Sequence, residues 1–119
     1  MIAVLTGCSS AHDDDVERVA GAFRAALASG DAATACDRLS DSVRDELQQS
    51  SGSTCEAAIM DTGVSRDGRV EQLSVSGTAA QVRYDDDTIF LAEFPDGWKI
   101  IGAGCQSQAD KPYDCELEG

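Results

Sequence analysis

The sequence has few aromatic and few basic residues. Only 5% of its 119 residues are Phe, Tyr or Trp, so a core must be built largely from Ala, Val, Leu and Ile. Nine Lys and Arg residues stand against 22 Asp and Glu, and the formal charge of -13 repels phosphate backbones and anionic lipid headgroups. This balance excludes nucleic acid as a partner. It is typical of a well-hydrated surface, with attraction of cations or of a basic partner as the alternative.

Residues typical of catalytic or metal sites are also scarce. His12 is the only histidine, and it lies in a polar stretch where we expect no pocket. The absence of a C-x-x-C pair disfavours both a zinc site and a thiol redox centre. Asp85, Asp86 and Asp87 offer oxygen ligands to calcium, but adjacent aspartates rarely converge on one ion, so we interpret them as a turn. We expect no metal, no cofactor and no catalytic residue.

Five cysteines are a high and odd number for a chain of this length. If Cys8 serves a different chemistry, the other four form an even set, as expected for disulfides in an oxidising compartment. Four cysteines allow three pairings. We favour Cys36–Cys55 with Cys105–Cys115, because each bond then closes a local segment.

The stretch Leu5-Thr6-Gly7-Cys8 resembles the lipobox of bacterial lipoproteins, in which small residues precede a cysteine that becomes diacylated. The resemblance implies that residues 1–7 are the remnant of a signal peptide, and that residues 8–13 form a flexible tether anchored through Cys8. Because no basic residue precedes the short apolar run, we expect the natural start to lie further upstream. Two acyl chains would hold the protein at the outer, extracytoplasmic face of the cell membrane. The alternative is a chance match with an ordinary thiol.

Residues 14–119 are expected to form a single domain that begins with an amphipathic helix over about 14–29. The spacing puts Arg18 and Arg24 on the polar side of this helix, and Asp13–Asp15 favour its start. Its apolar face consists of Val16, Val19, Ala20, Phe23, Ala26 and Leu27.

Shorter helices should follow, with N-caps at Asp31, Ser40 and Ser53, the last of these in a capping box with Glu56. From Gly68 onward the hydrophobic period changes to two, which predicts strands. We place the strands near residues 73–75, 80–84, 88–94, 98–103 and 115–117. The intervening turns are Ser76-Gly77-Thr78, Asp85–Asp87 and Pro95-Asp96-Gly97.

Helices followed by antiparallel strands predict an α+β fold in which helices pack on a curved sheet of four to five strands. The helix pair VERVAGAFRAALASGDAATACDRLS, followed by hairpins ending in FPDGWKIIGAG, resembles small members of the nuclear transport factor 2-like superfamily. It is particularly similar to acidic, cysteine-bearing lipoproteins of actinobacteria. The resemblance implies a cone with a cavity between sheet and long helix. That superfamily contains enzymes, binding modules and dimerisation domains, so the fold alone decides no function.

Four aromatic side chains are candidates for the lining of this cavity: Phe23, Tyr84, Phe94 and Trp98. Tyr113 is a candidate for its mouth, and the alternative for all of them is to fill the core. The inward strand faces offer mostly hydrocarbon, with no pair of carboxylates whose pKa values would be separated. A deep cone with an inward Asp, Glu or Tyr would favour an enzyme, and a filled cone would favour protein interaction.

We therefore predict a membrane-anchored, extracytoplasmic and non-catalytic module that binds an envelope protein or a small apolar ligand. One alternative is a small enzyme of cyclase or isomerase type that uses the cone. Another is a structural envelope protein that forms a homodimer through its sheet.

Overall fold

The computed structural model describes the backbone of residues 7–66, 68–108 and 111–119, and the side chains of residues 12–66, 68–107 and 113–119. Residues 1–6 of the predicted signal-peptide remnant lie outside the described residues, as does the side chain of Cys8. Among the described helices, none is both long enough and apolar enough to cross a bilayer.

The described residues form an α+β domain with the helices first and an antiparallel sheet after them, as predicted. The helices are α1 (Gly7–Ser29), α2 (Ala32–Asp37), α3 (Asp41–Ser51) and α4 (Cys55–Ala58), followed by a 3₁₀ turn over Ile59–Asp61. The strands are β1 (Val70–Ser76), β2 (Ala79–Tyr84), β3 (Thr88–Phe94), β4 (Gly97–Gln108) and β5 (Lys111–Glu118). Each strand pairs with the next, so the order across the sheet is β1-β2-β3-β4-β5.

Helix α1 begins at Gly7, earlier than the start near residue 14 that the periodicity predicts. The backbone of residues 8–13, expected to be a flexible tether, therefore belongs to the helix, because a helix already nucleated by its buried face propagates through polar residues at little cost. Asp13–Asp15 lie beyond its first turn and do not complement the helix dipole there. Asp15 instead forms an ion pair with Arg18, with 2.6 Å between carboxylate and guanidinium.

Side-chain caps determine where the shorter helices begin. Asp31 and Ser40 cap α2 and α3 as predicted, each accepting a hydrogen bond from the amide three residues further on. Helix α4 is capped by Thr54 and not by Ser53, because the Thr54 hydroxyl accepts from the amide of Ala57. With Thr54 as the N-cap, Ala57 takes the third helical position, so the capping box predicted with Glu56 does not form.

The strands are joined by the predicted turns, and β4 bends at an irregularity in its pairing with β3. Gly77 has φ of +62° in the two-residue loop between β1 and β2, a backbone that favours glycine. The register between β3 and β4 shifts on both sides of Phe90, and Gly104 has φ of +66°. Strand β4 continues past this bend to pair with β5, which is longer than the short strand predicted at residues 115–117.

The core lies between the helices and one face of the sheet, with side chains from α1, α2, α3, α4 and the 3₁₀ turn. Its largest side chains are fully buried, namely Phe23, Leu27, Ile89, Leu91 and Ile100. On the edge of β4 that β5 does not reach, the chain after α2 takes the place of a strand: Ile100 exchanges backbone hydrogen bonds of 2.9 Å with Arg38 and Ser40.

Two disulfides, Cys36–Cys55 and Cys105–Cys115, tie the domain together. This is the pairing favoured from the sequence. The first joins α2 to α4 across a separation of 19 residues, and the second joins residues at directly opposite positions of β4 and β5. Each bond closes a loop of the unfolded chain and so lowers its conformational entropy.

We predict that the double variant Cys36→Ala/Cys55→Ala loses about 3 kcal/mol of unfolding free energy, because the cross-link no longer restricts the unfolded chain. Urea denaturation of the wild type and the variant measures the difference. Dithiothreitol should destabilise the wild type and have no effect on a variant lacking all four paired cysteines. Unchanged stability after both the substitution and reduction would contradict a stabilising role for the bond.

Candidate functional site

The four predicted cavity residues lie in different environments. Phe23 and Tyr84 are part of the packed interior, at 0% and 6% exposure. Trp98 is buried at one end of the core, whereas Phe94 is 39% exposed beside the turn between β3 and β4. Tyr113 packs edge-to-face on Phe90 of β3, with ring centroids 5.0 Å apart. The aromatics thus divide between filling the core and flanking the β3–β4 hairpin.

Arg24 is buried, contrary to the prediction that it lies on the polar side of α1. Its Nη1 donates to Asp87 Oδ1 over 2.8 Å, and its Nη2 donates to Asp86 Oδ1 over 3.2 Å and to Ser65 Oγ over 3.1 Å. The guanidinium carbon lies 3.8 Å from the ring centre of Tyr84, a cation–π contact. Helical periodicity cannot reveal this cluster, because its acidic partners lie more than 60 residues further along the chain.

The two acidic partners differ in their surroundings. The side chain of Asp87 is 2% exposed, and burial raises its pKa although the Arg24 guanidinium opposes the shift. Asp86 is 37% exposed; burial also acts to raise its pKa, but hydrogen bonds from Ser65 and Arg24 outweigh burial and lower it. The expectation of no such pair concerns the inward strand faces, whereas these two acids lie in the turn between β2 and β3. Burial also raises the pKa of Tyr84 to about 12.

A cavity of about 340 Å³ lies at the open end of the domain, between α1, the chain after α2 and the β3–β4 hairpin. We call it the rim cavity. Its charged lining consists of three acidic and three basic side chains: Asp15, Glu93, Asp96, Arg18, Arg38 and Lys99. It thus gathers three of the nine Lys and Arg residues of a strongly acidic chain. The sequence does not reveal this cavity, because three separate segments contribute to it and none carries a motif.

Asp15 and Arg18 form a close ion pair of 2.6 Å at the rim cavity, whereas the ion pairs of Lys99 and Arg38 are longer. Lys99 Nζ lies 3.8 Å from Asp96 and donates to the carbonyl of Asp37 over 3.1 Å, while Arg38 lies 3.8 Å from Asp37. Exposed pairs of this kind contribute about 0–1 kcal/mol, so a ligand can replace them at little cost.

Trp98 also lines the rim cavity, and its indole N–H is buried without a hydrogen-bond partner among the described residues. The ring of His12, on the first half of α1, meets it edge-on with centroids 6.3 Å apart. A buried donor without a partner costs about 1–3 kcal/mol, so its presence calls for an explanation.

A second cavity of about 370 Å³ lies on the other side of the hairpin and shares Asp96 and Lys99 with the first. Leu39, Phe94 and Pro95 give it a more apolar lining, and we call it the apolar cavity. Within the part of the chain that the structure describes, no group of His, Cys, Asp and Glu side chains has the arrangement of a metal site.

We predict that Arg24→Met lowers the free energy of unfolding by about 3–5 kcal/mol at neutral pH, because it leaves the Asp87 carboxylate buried and unpaired. The deficit should shrink as the pH falls. Burial raises the folded pKa of Asp87 above its ordinary 3.8. The cost of burying its charge is therefore complete above the raised pKa, and it is relieved as the pH falls from that pKa toward 3.8. Asp86 does not change the deficit above about pH 5, because the stability from its lowered pKa, due to Ser65 and Arg24, is complete above the ordinary 3.8 and is lost only in stronger acid.

Urea denaturation at about pH 5 and about pH 8 measures this deficit. The matched control is Arg18→Met, the same substitution on the same helix at a side chain that is 69% exposed, which should cost little. Equal effects of the two substitutions would contradict a buried, paired Arg24.

No family model, curated protein or solved structure matches the chain. What the domain can bind must therefore be inferred from its own side chains, charges and shape.

Proposed function

We propose that the chain is an extracytoplasmic lipoprotein, anchored through lipid on Cys8, whose domain is a non-catalytic binding or protein-interaction module. Its fold is proposed to be of the nuclear transport factor 2-like type. The observation that carries the proposal is that the interior is filled and its buried carboxylate is committed to Arg24, while the rim and apolar cavities flank the β3–β4 hairpin.

The filled interior supports binding at the surface over chemistry inside the cone. Val82, Ile89 and Leu91 are fully buried against α1, where a substrate would have to lie. The inward polar groups are already engaged, since Asp87 accepts from Arg24 and Tyr84 lies under the same guanidinium. With a pKa of about 12, Tyr84 keeps its proton at neutral pH and is a poor general base.

The cysteines support the extracytoplasmic location. Disulfides persist in oxidising compartments and are rare in the cytosol, and the domain has two of them. The fifth cysteine then remains for acylation at the lipobox-like stretch. The order of helices and antiparallel strands supports the proposed fold type, because a long helix covers one face of a bent sheet.

We predict that Cys8→Ser moves the full-length native protein from the membrane fraction to the soluble extracytoplasmic fraction, because the acyl chains can no longer be attached. Cell fractionation with metabolic labelling by an alkyne fatty acid measures both location and acylation. Ser9→Ala, a neighbouring substitution that keeps the thiol, is the control and should stay acylated and membrane-bound. Persistence of the Cys8 variant in the membrane would refute the anchor.

The module itself is tested by the position dependence of cross-linking. A photo-crosslinking amino acid in place of Phe94, at the apolar cavity, should give discrete adducts on the anchored protein in cells. The same amino acid in place of Val70, which is comparably exposed on the edge strand β1, should not. Identical labelling patterns at the two positions would contradict a binding surface at the hairpin.

A further inference from the structure

Among the residues that the structure describes, two polar groups of complementary kind have no partner in the rim cavity. The indole N–H of Trp98 is a buried donor with no acceptor, and Glu93 is an acid that forms no ion pair with a described residue. Both line the rim cavity, and they occupy directly opposite positions on β3 and β4. Opposite residues of an antiparallel pair have their side chains on the same face, about 5 Å apart at Cβ.

The charge of the lining restricts what can fill this cavity. Three acidic and three basic side chains leave the lining with no net formal charge, so neither a simple anion nor a simple cation gains a net attraction to it. A molecule that carries both charges meets an opposite charge at each end. The equal numbers of acidic and basic side chains are a local property of the rim cavity, because the chain as a whole has a formal charge of -13.

We propose that the rim cavity binds a small zwitterion, an α-amino acid or a short peptide with free termini. This inference rests on the proposed binding function and names its ligand class. The ammonium group of the ligand pairs with Glu93. Its carboxylate pairs with Arg38 and Arg18, and a carboxylate or carbonyl oxygen accepts the hydrogen bond from Trp98.

The size and surroundings of the cavity suit such a ligand. About 340 Å³ is at the lower end of the range of small-molecule pockets, which is enough for one to three small residues. The apolar cavity adjoins it at Asp96 and Lys99, so an apolar side chain of the ligand can lie against Leu39 and Phe94. The loose ion pairs of Lys99 and Arg38 can open to admit the carboxylate.

The tryptophan provides a direct readout, because Trp98 is the only one in the chain. Titration of the full chain with L-alanine and with trialanine should change its fluorescence saturably, with isothermal calorimetry run in parallel. Stronger binding of L-alanine identifies the free amino acid as the source of the ligand, and stronger binding of trialanine identifies a peptide. N-acetyl-trialanine and trialanine amide each lack one charge, and the affinity of each should be lower than that of trialanine by about tenfold or more.

Variants test the assignment of Glu93. Glu93→Gln should weaken trialanine about tenfold and leave the already weak binding of N-acetyl-trialanine unchanged, because that probe has no ammonium group. Glu56→Gln, at an exposed acid on α4 away from the cavity, is the matched control and should bind like the wild type.

Absence of both a fluorescence change and a heat of binding at millimolar zwitterion overturns this inference, as does equal binding by the wild type and Glu93→Gln. Such a result leaves the proposed function intact. That function is tested separately, by the membrane location and acylation of Cys8→Ser and by cross-linking at the hairpin.

Discussion

The position of α1 on the sheet depends on one buried ion pair. Arg24 points from the helix into the domain and donates to Asp87, to Asp86 and to Ser65, so one guanidinium joins α1, the loop before β1 and the turn between β2 and β3. Taking two charges out of water costs several kcal/mol per ion, and the attraction between them does little more than offset this. The pair therefore contributes mainly specificity, because any other placement of α1 would leave a charge buried and alone.

The same constraint sets the geometry of the rim. Asp15, Arg18 and Val19 lie on the helix that Arg24 holds, and their distance from the hairpin follows from how that helix rests on the sheet. The third wall is held separately, since Arg38 shares backbone hydrogen bonds with β4 through Ile100, and the disulfide at Cys36 fixes α2 next to it. Three interactions thus support the cavity: the Arg24–Asp87 ion pair, the backbone bridge between Leu39 and Ile100, and the Cys36–Cys55 disulfide. Each of them joins residues that are far apart in the sequence.

Much of the fold could be predicted because it depends on local chemistry. The alternation of apolar and polar residues predicts the strands, and turn residues such as Gly77 and Pro95 predict the hairpins. The pairing that closes the shortest loops predicts both disulfides. The errors have physical causes. Periodicity predicts that Arg24 lies on the polar face, because a buried arginine is recognisable only through partners more than 60 residues away. The three aspartates before Val16 look like a helix start, but the helix is nucleated by its buried face and extends through them.

Two carboxylates with pKa values pushed apart are a common mark of acid–base catalysis, and Asp86 with Asp87 fits that description. Here the separation has a structural origin. Both acids bind the same guanidinium, so a proton removed by either would have to displace a hydrogen bond that holds α1 in place. The acid with the raised pKa is also the more buried one, and the cavity beside this turn, at about 160 Å³, is well below the usual size of a ligand pocket. In contrast, Glu93 forms no ion pair with a described residue and lines open volume, and the proposed recognition at the hairpin depends on these two features.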